Sequence, residues 1–396
     1  MKQKVVLAFS GGLDTSFCVP YLMNEKGLEV HTVIVNTGGF SDEEAKRIEE
    51  RALILGAATH TCIDAAEDYY QRGIRYLIFG NVLKNNTYPL SVSSERFFQA
   101  MAVLNHVKKV GADFVAHGST GAGNDQVRFD LVFEVLAPDV KIIAPIRELS
   151  LSRQQEIDYL KEKGFDFSWE KSKYSINQGL WGTSVGGVET LKSSGVLPEE
   201  AYPSQVTDYG TEHINIAFEK GEPVALNGEA MPPVELIHLL HTIASKYGIG
   251  RDVHVGDTII GTKGRVAFEA PAPLIIVKAH HLLEKHVLTK QQQYWKEQLG
   301  NWYGQLMHEA QYLEPVMRNI ETFLEDSQKF VTGEVKVELR PYHFSVLGCL
   351  SDFDLMNSRF GEYGETNKSF SGQDVVGFTK VIANPLKIYY TIHGND

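Results

Sequence analysis

Ser10-Gly11-Gly12-Leu13-Asp14-Thr15-Ser16 is the stretch that most limits what this chain can become. Before it stands Lys4-Val5-Val6-Leu7-Ala8-Phe9, an apolar run with the length and β-rich composition of a buried parallel strand. After it, Ser16 to Met23 has helical apolar spacing, with Pro20 expected in the first turn. Strand, Gly-Gly turn and helix start together make a phosphate cradle: glycines let the backbone approach an anion, and free N–H groups at the helix start supply a positive field. Ser10, Thr15 and Ser16 add hydroxyls, and Asp14 suits a Mg²⁺ ion or its waters. No Gly-Lys-Ser/Thr follows, so this is not a Walker loop.

The first ~165 residues alternate strand and helix, which predicts a parallel sheet with crossovers. Strands are expected at 28–36, 58–63, 112–117 and 141–145, and helices at 41–55, 93–110 and 152–163. Glycine-rich segments at 10–12 and 118–123 then fall at strand carboxyl ends, where such sheets bind ligands. From about Trp169 the pattern changes: Gly- and Ser-rich loops to Gly187, a hairpin around Lys220-Gly221, a helix from Pro232-Pro233, strands at 253–260 and 265–269, a helix over 274–288 and a late hairpin at 336–347. The expectation is an α/β chain with a nucleotide-binding domain over 1–168, an α+β domain over 169–360 and a tail over 361–396.

At 396 residues with a net charge of −12, the chain has room for large cores and no basic face for nucleic acid. Cys18, Cys62 and Cys349 are widely spaced, which fits a reducing compartment and offers no cysteine zinc site. No apolar run approaches membrane-spanning length, and the first strand leaves no room for a signal peptide, so a cytoplasmic protein without a membrane partner is expected. Histidines at 238, 241, 280, 281 and 286 lack a completing carboxylate set and are read as capping or solvated groups, and Trp295, Trp302 and Tyr303 as core or subunit-contact aromatics.

The richest chemical string is His117-Gly118-Ser119-Thr120-Gly121-Ala122-Gly123-Asn124-Asp125-Gln126-Val127-Arg128-Phe129. Arg128 suits bidentate capture of a carboxylate and Asp125 suits an ammonium, the two ends of a free amino acid.

The first loop resembles the SGGxDS/T loop of enzymes that split ATP between its α- and β-phosphates. Both loops together, with Tyr88-Pro89-Leu90-Ser91-Val92-Ser93 and the serines of the Tyr174–Ser184 segment, resemble the argininosuccinate synthase family over most of the chain. The resemblance implies an ATP-pyrophosphatase-type domain, a synthetase domain and a homotetramer joined through C-terminal tails. It implies ligation of citrulline and aspartate with release of AMP and pyrophosphate, ATP entering with Mg²⁺. ATP would lie against Ala8, Phe9, Ser10, Gly11, Gly12, Leu13, Asp14, Thr15, Ser16, Val35 and Gly118, aspartate against Thr120, Asn124 and Asp125, and citrulline against Tyr88, Ser93, Asn124, Arg128, Ser175 and Ser184. Ser10, Asp14 and Arg128 would carry the chemistry, which is positioning and electrostatics and needs no side-chain nucleophile. Beyond this, no protein side chain is expected as a metal ligand.

Two positions depart from the family pattern. Gly256 stands where citrulline-specific members usually carry Glu, and Phe268 where they carry Tyr; Asn177-Gln178-Gly179 also replaces an Asp-x-Asn. An unpaired ammonium there would forgo a charge-assisted hydrogen bond worth about 1.5–3 kcal/mol. Either Asp257 or another residue restores the charge, or the substrate is an N-acylcitrulline. Amidotransferase synthetases share the first loop but would need a glutaminase domain or an ammonia route, and no N-terminal Cys nucleophile is seen; tRNA-modifying enzymes share it too but tend to be basic, often with paired cysteines, and this chain is neither. A non-catalytic nucleotide sensor would have no need of the second string.

Overall fold

The computed structural model describes residues 2–167, 173–357, 363–365 and 367–394, so the expected boundaries at 168/169 and 360/361 lie outside the described residues. Strands β1 (Lys4–Ala8), β2 (Glu29–Asn36), β3 (Thr59–Asp64), β4 (Phe114–His117) and β5 (Lys141–Ile143) form one parallel sheet in the order β3-β2-β1-β4-β5. β1 is central because it can be buried on both faces: Val5 and Leu7 pack into one core cluster and Val6 into the other. The winding direction reverses between β1 and β4, which brings the two glycine-rich loops side by side at a topological switch point.

The helix after the first loop spans Leu13–Asn24, three residues earlier than expected, so Pro20 lies inside it and not in its first turn. Leu13, 5% exposed, is drawn into the core with Phe9 and Phe17, and this packing starts the helix directly at Gly12. The Asp42–Ile54 helix begins as expected, with Ser41 and Glu44 completing a reciprocal cap.

The remaining strands are β6 (Ser175–Gly179), β7 (Gly182–Gly186), β8 (Glu212–Glu219), β9 (Glu222–Leu226) and β10 (Glu229–Ala230), then β11 (Arg251–Asp257), β12 (Lys263–Glu269), β13 (Gly333–Arg340) and β14 (His343–Leu350). They form two antiparallel sheets, β11-β12-β7-β6 and β10-β9-β8-β13-β14. The Gly/Ser-rich stretch read as loop is therefore the β6–β7 hairpin. β7 is held from both sides, by β6 and β12, with Thr183, Ser184 and Val185 buried; tertiary pairing overrides weak local propensity. The Lys290–His308 and Pro315–Ser327 helices were not anticipated; Tyr303 is core, while Trp295 and Trp302 are exposed. One large core cluster runs from Val33 and Val115 beside the first sheet, through Tyr88 and Phe268, to Val335 in the last. The two halves of the chain thus share a core, and the main cleft opens at their seam.

Candidate active site

After β1 the backbone turns sharply. Gly11 has φ +76°, a left-handed conformation suited to glycine, and its carbonyl accepts from Arg51 Nη1 at 2.5 Å. Gly12 caps the helix with no side-chain bond, which leaves the first N–H groups available to an anion. Thr15 Oγ1 lies 3.2 Å from Ser10 Oγ and donates to the Gly12 carbonyl, so the loop's hydroxyls brace one another. Phe9 and Leu13 bury their side chains in the core and can reach a ligand only through backbone.

The second loop leaves β4 and ends at a helix, Asp125–Leu136. His117 fixes its start: Nδ1 accepts from the Ser119 N–H while Nε2 faces Asp130 at 2.9 Å. Asn124 Oδ1 accepts from the Ile259 N–H, tying this loop to the β11–β12 turn of the other half. Gly118 is pressed against the first loop. A Cβ there would stand 2.8 Å from Thr15 Cγ2 and 3.2 Å from its amide nitrogen.

Asp125 is not a free partner for an ammonium. Arg96 Nε and Arg128 Nη1 donate to its two oxygens at 3.0 and 2.9 Å and, against the cost of burial, hold its carboxyl below the ordinary range. Arg128 is 4% exposed; its Nη2 donates to the His308 carbonyl, and its Nε has no hydrogen-bond partner among the described residues. A buried guanidinium with an unused donor is prepared for an anionic guest.

A cavity of about 610 Å³ gathers these groups, within the range of small-molecule sites. Asp14, Tyr88, Ser93, Gly118, Thr120, Asn124, Asp125, Arg128, Ser175, Ser184 and Gly256 line it, and they come from both halves of the chain. Ser184 faces Asn177 across the β6–β7 hairpin. The Ser91–Val110 helix starts after Leu90 in left-handed conformation (φ +62°), local strain of the kind held at functional sites. Ala8, Phe9, Ser10, Gly11, Gly12, Leu13, Thr15, Ser16 and Val35, near the carboxyl end of β2, lie outside the lining, as does Phe268. Phe268 is fully buried with its ring 5.4 Å from that of Tyr88, so it supports the wall and does not face the cavity. Sequence reasoning missed His254 and His308, which line the cavity, because neither stands in a recognisable string. A separate cavity of about 500 Å³, lined by Asn81, Lys278, His281 and Glu297 among others, touches neither glycine loop.

Behind the first loop, Glu156 is buried beside Asp14. Burial and the Asp14 carboxylate push its carboxyl up to about 7. Because the folded value is raised, the unfolded chain releases this proton first, and stability falls as pH rises from about 4.5 through 7. Glu156→Gln is therefore expected to raise Tm at pH 8 while leaving it nearly unchanged at pH 4.5. Thermal scans at the two pH values check this, and equal shifts at both would refute it. Among the described residues, no cluster of three or more His, Cys, Asp or Glu side chains is arranged to hold a metal ion, and no helix is long and apolar enough to cross a membrane. His280 is instead a core residue, bonded to Asn81 and Gln328.

A parallel sheet with paired glycine loops at its switch point, roofed by a second α+β unit, defines an ATP-using synthetase of two-part construction. Residues 4–166 match the family model described as arginosuccinate synthase N-terminal HUP domain, and residues 174–389 match the arginosuccinate synthase C-terminal domain. The chain belongs to the argininosuccinate synthase family. It is 40% identical to the argininosuccinate synthase of Methanocaldococcus jannaschii over 96% of each chain. It is 37% identical to that of Xanthomonas campestris over 98% of each, and 37% identical to that of Dictyoglomus thermophilum over 100% of this chain and 99% of the relative.

Proposed function

We propose that this protein ligates citrulline to aspartate at the expense of ATP, forming argininosuccinate, AMP and pyrophosphate in arginine biosynthesis. The observation that carries the reading is the cavity in which Asp14 of the first loop and the second glycine loop meet the serine-bearing hairpin and Arg128. In this reading pyrophosphate rests on residues 10–16, at the open helix start, with Ala8, Val35 and Gly118 beside the nucleoside. Arg128, Asn124, Tyr88, Ser93, Ser175 and Ser184 hold the ureido substrate; Thr120, Asn124 and Asp125 hold aspartate. The ureido oxygen attacks the α-phosphate, a P–O bond to pyrophosphate breaks, and the aspartate amine then forms the new C–N bond as AMP departs. The protein's part is to align three substrates and offset developing charge, with Ser10, Asp14 and Arg128 closest to that charge. Asp14 is the one carboxylate of the first loop that fits a Mg²⁺ ion, so the ion travels with the phosphates and is not held by a protein cage.

The test is product analysis with Mg·ATP, aspartate and citrulline labelled with ¹⁸O in the ureido group, supplied free and Nα-acylated. AMP and pyrophosphate are expected in equal amounts with the label in AMP. ATP binding without AMP formation from any form identifies a nucleotide sensor instead.

The same reading places the enzyme in the cytoplasm, without nucleic acid or membrane partners, as a homotetramer. The Gly372–His393 helix supports self-association: none of its residues is buried, and Val375, Phe378, Val381, Ile382, Leu386 and Tyr389 are all exposed apolar groups. Ending the chain at residue 357 is expected to shift the particle to a smaller oligomer in sedimentation velocity. An unchanged mass would contradict this assignment.

A further inference from the structure

Behind the second loop a ring of side chains closes on Arg96. Arg96 Nη1 donates to Glu95 Oε1 at 2.7 Å and to Gln99 Oε1 at 2.9 Å. Thr37 Oγ1 donates to the other Glu95 oxygen at 2.9 Å and accepts from Gln99 Nε2 at 3.3 Å, which completes the ring. Thr37 stands just past the carboxyl end of β2, while Glu95, Arg96 and Gln99 share the Ser91–Val110 helix at spacings that put side chains side by side. The β6–β7 hairpin covers this ring. A Cβ at Gly179 would lie 2.2 Å from Glu95 Oε2, and the Leu180 N–H donates to the Thr37 carbonyl at 3.3 Å.

Arg96 Nε reaches the cavity wall, where it donates to Asp125 Oδ2 at 3.0 Å; Arg128 Nη1 donates to Oδ1 of the same carboxylate at 2.9 Å. Acid and base thus alternate along one line, Glu95, Arg96, Asp125, Arg128, which ends at the buried and unpartnered Arg128 Nε. Asp125 and Arg128 line the cavity, whereas Arg96 lies outside the lining. Burial opposes the Arg96 charge, and Asp125 and Glu95 outweigh it, so the group stays a cation. Burial also pushes the Glu95 carboxyl up to about 7, which leaves Asp125 the firmer anion on Arg96 near neutral pH.

We propose that Arg96 is a positioning residue for the ligation: it fixes the plane of the Asp125 carboxylate and takes up part of its charge, so that Arg128 meets the ureido substrate aligned and still cationic. The inference rests on the ligation reading above, in which Asp125 holds aspartate and Arg128 the ureido substrate. Without Arg96, Asp125 keeps a single cation. Its whole charge then falls on Arg128 and offsets the field that draws a substrate carboxylate, and its Oδ2 loses the donor that holds the plane.

The experiment measures kcat and KM for each substrate by pyrophosphate release from the full chain, as wild type, Arg96→Met and Arg96→Lys, with Mg·ATP, citrulline and aspartate varied in turn. Arg96→Met is expected to raise KM for citrulline and for aspartate about 30-fold, while KM for ATP stays within about twofold. A KM does not depend on how much of the variant folds. A loss confined to kcat, with every KM unchanged, therefore makes Arg96 a structural residue and overturns the proposal. Equal rises for ATP and both amino acids mark a general loosening and overturn it as well. Arg96→Lys returns the charge without the planar fork and is expected to bring both amino-acid KM values to within about fivefold of wild type. A lysine variant no better than the methionine one overturns the charge-sharing role. Silence of the wild type with citrulline overturns the ligation reading, and the role of Arg96 with it.

Discussion

Gly118→Val is expected to lower kcat/KM for ATP by about 10³-fold while the protein remains folded. The reason is local contact between the two glycine loops. A Cβ at 118 already presses on Thr15 at 2.8 Å to Cγ2 and 3.2 Å to the amide nitrogen, and valine adds two methyl groups. Thr15 has no easy retreat, because its hydroxyl is bonded to the Gly12 carbonyl and lies against Ser10 Oγ. Rotating it unbraces the phosphate loop; leaving it in place pushes the β1 and β4 loops apart. Either way the open helix N–H groups miss the phosphates by a fraction of an ångström, which is enough to matter in a positioning mechanism. Steady-state kinetics with ATP varied, beside a thermal scan, separates this from unfolding. Near-normal ATP kinetics would mean that nucleotide does not pass between these loops.

Arg128→Lys should cost a similar factor, about 10³-fold in kcat/KM for the ureido substrate, with ATP affinity preserved. Arg128 spends one nitrogen on Asp125 and one on the His308 carbonyl, and keeps Nε for a guest. Lysine offers one compact charge and cannot meet three directions from one planar fork. Asp125 retains Arg96 in the variant, so the stability loss should stay near about 1–3 kcal/mol. Equilibrium unfolding and substrate-saturation kinetics measure the two effects separately. A variant that loses stability without raising KM for the ureido substrate would make Arg128 a structural residue alone.

Much of the architecture is legible along the chain. The 4–9 run, the Ser41–Glu44 cap and the Lys220-Gly221 hairpin each follow from short-range rules: apolar period, capping chemistry, turn residues. The β6–β7 hairpin is not legible, because Ser175 to Gly186 has little strand propensity of its own and is held by β12, whose residues come some 80 positions later. The early start of the first helix has the same origin, since Leu13 joins it through packing. The site divides likewise. Motif strings identify Ser10 to Ser16 and Asn124 to Arg128, but they present Asp125 as free when two guanidiniums hold it.

Phe268 and Gly256 show where sequence and tertiary structure part. As departures from a pattern the two look equivalent. In the fold the two share one face of the β11–β12 pair, but Gly256 borders the cavity, whereas Phe268, opposite Asp252 and fully buried, is covered by the Tyr88 ring. The sequence by itself determined the phosphate cradle, the parallel sheet and the chemistry of the two loops, since these depend on residues adjacent in the chain. Only the tertiary structure decided which charges remain unpaired. His254, His308 and Arg128 come from three distant segments, and whether a basic group is free for a ligand depends on which carboxylates the fold has already brought to it.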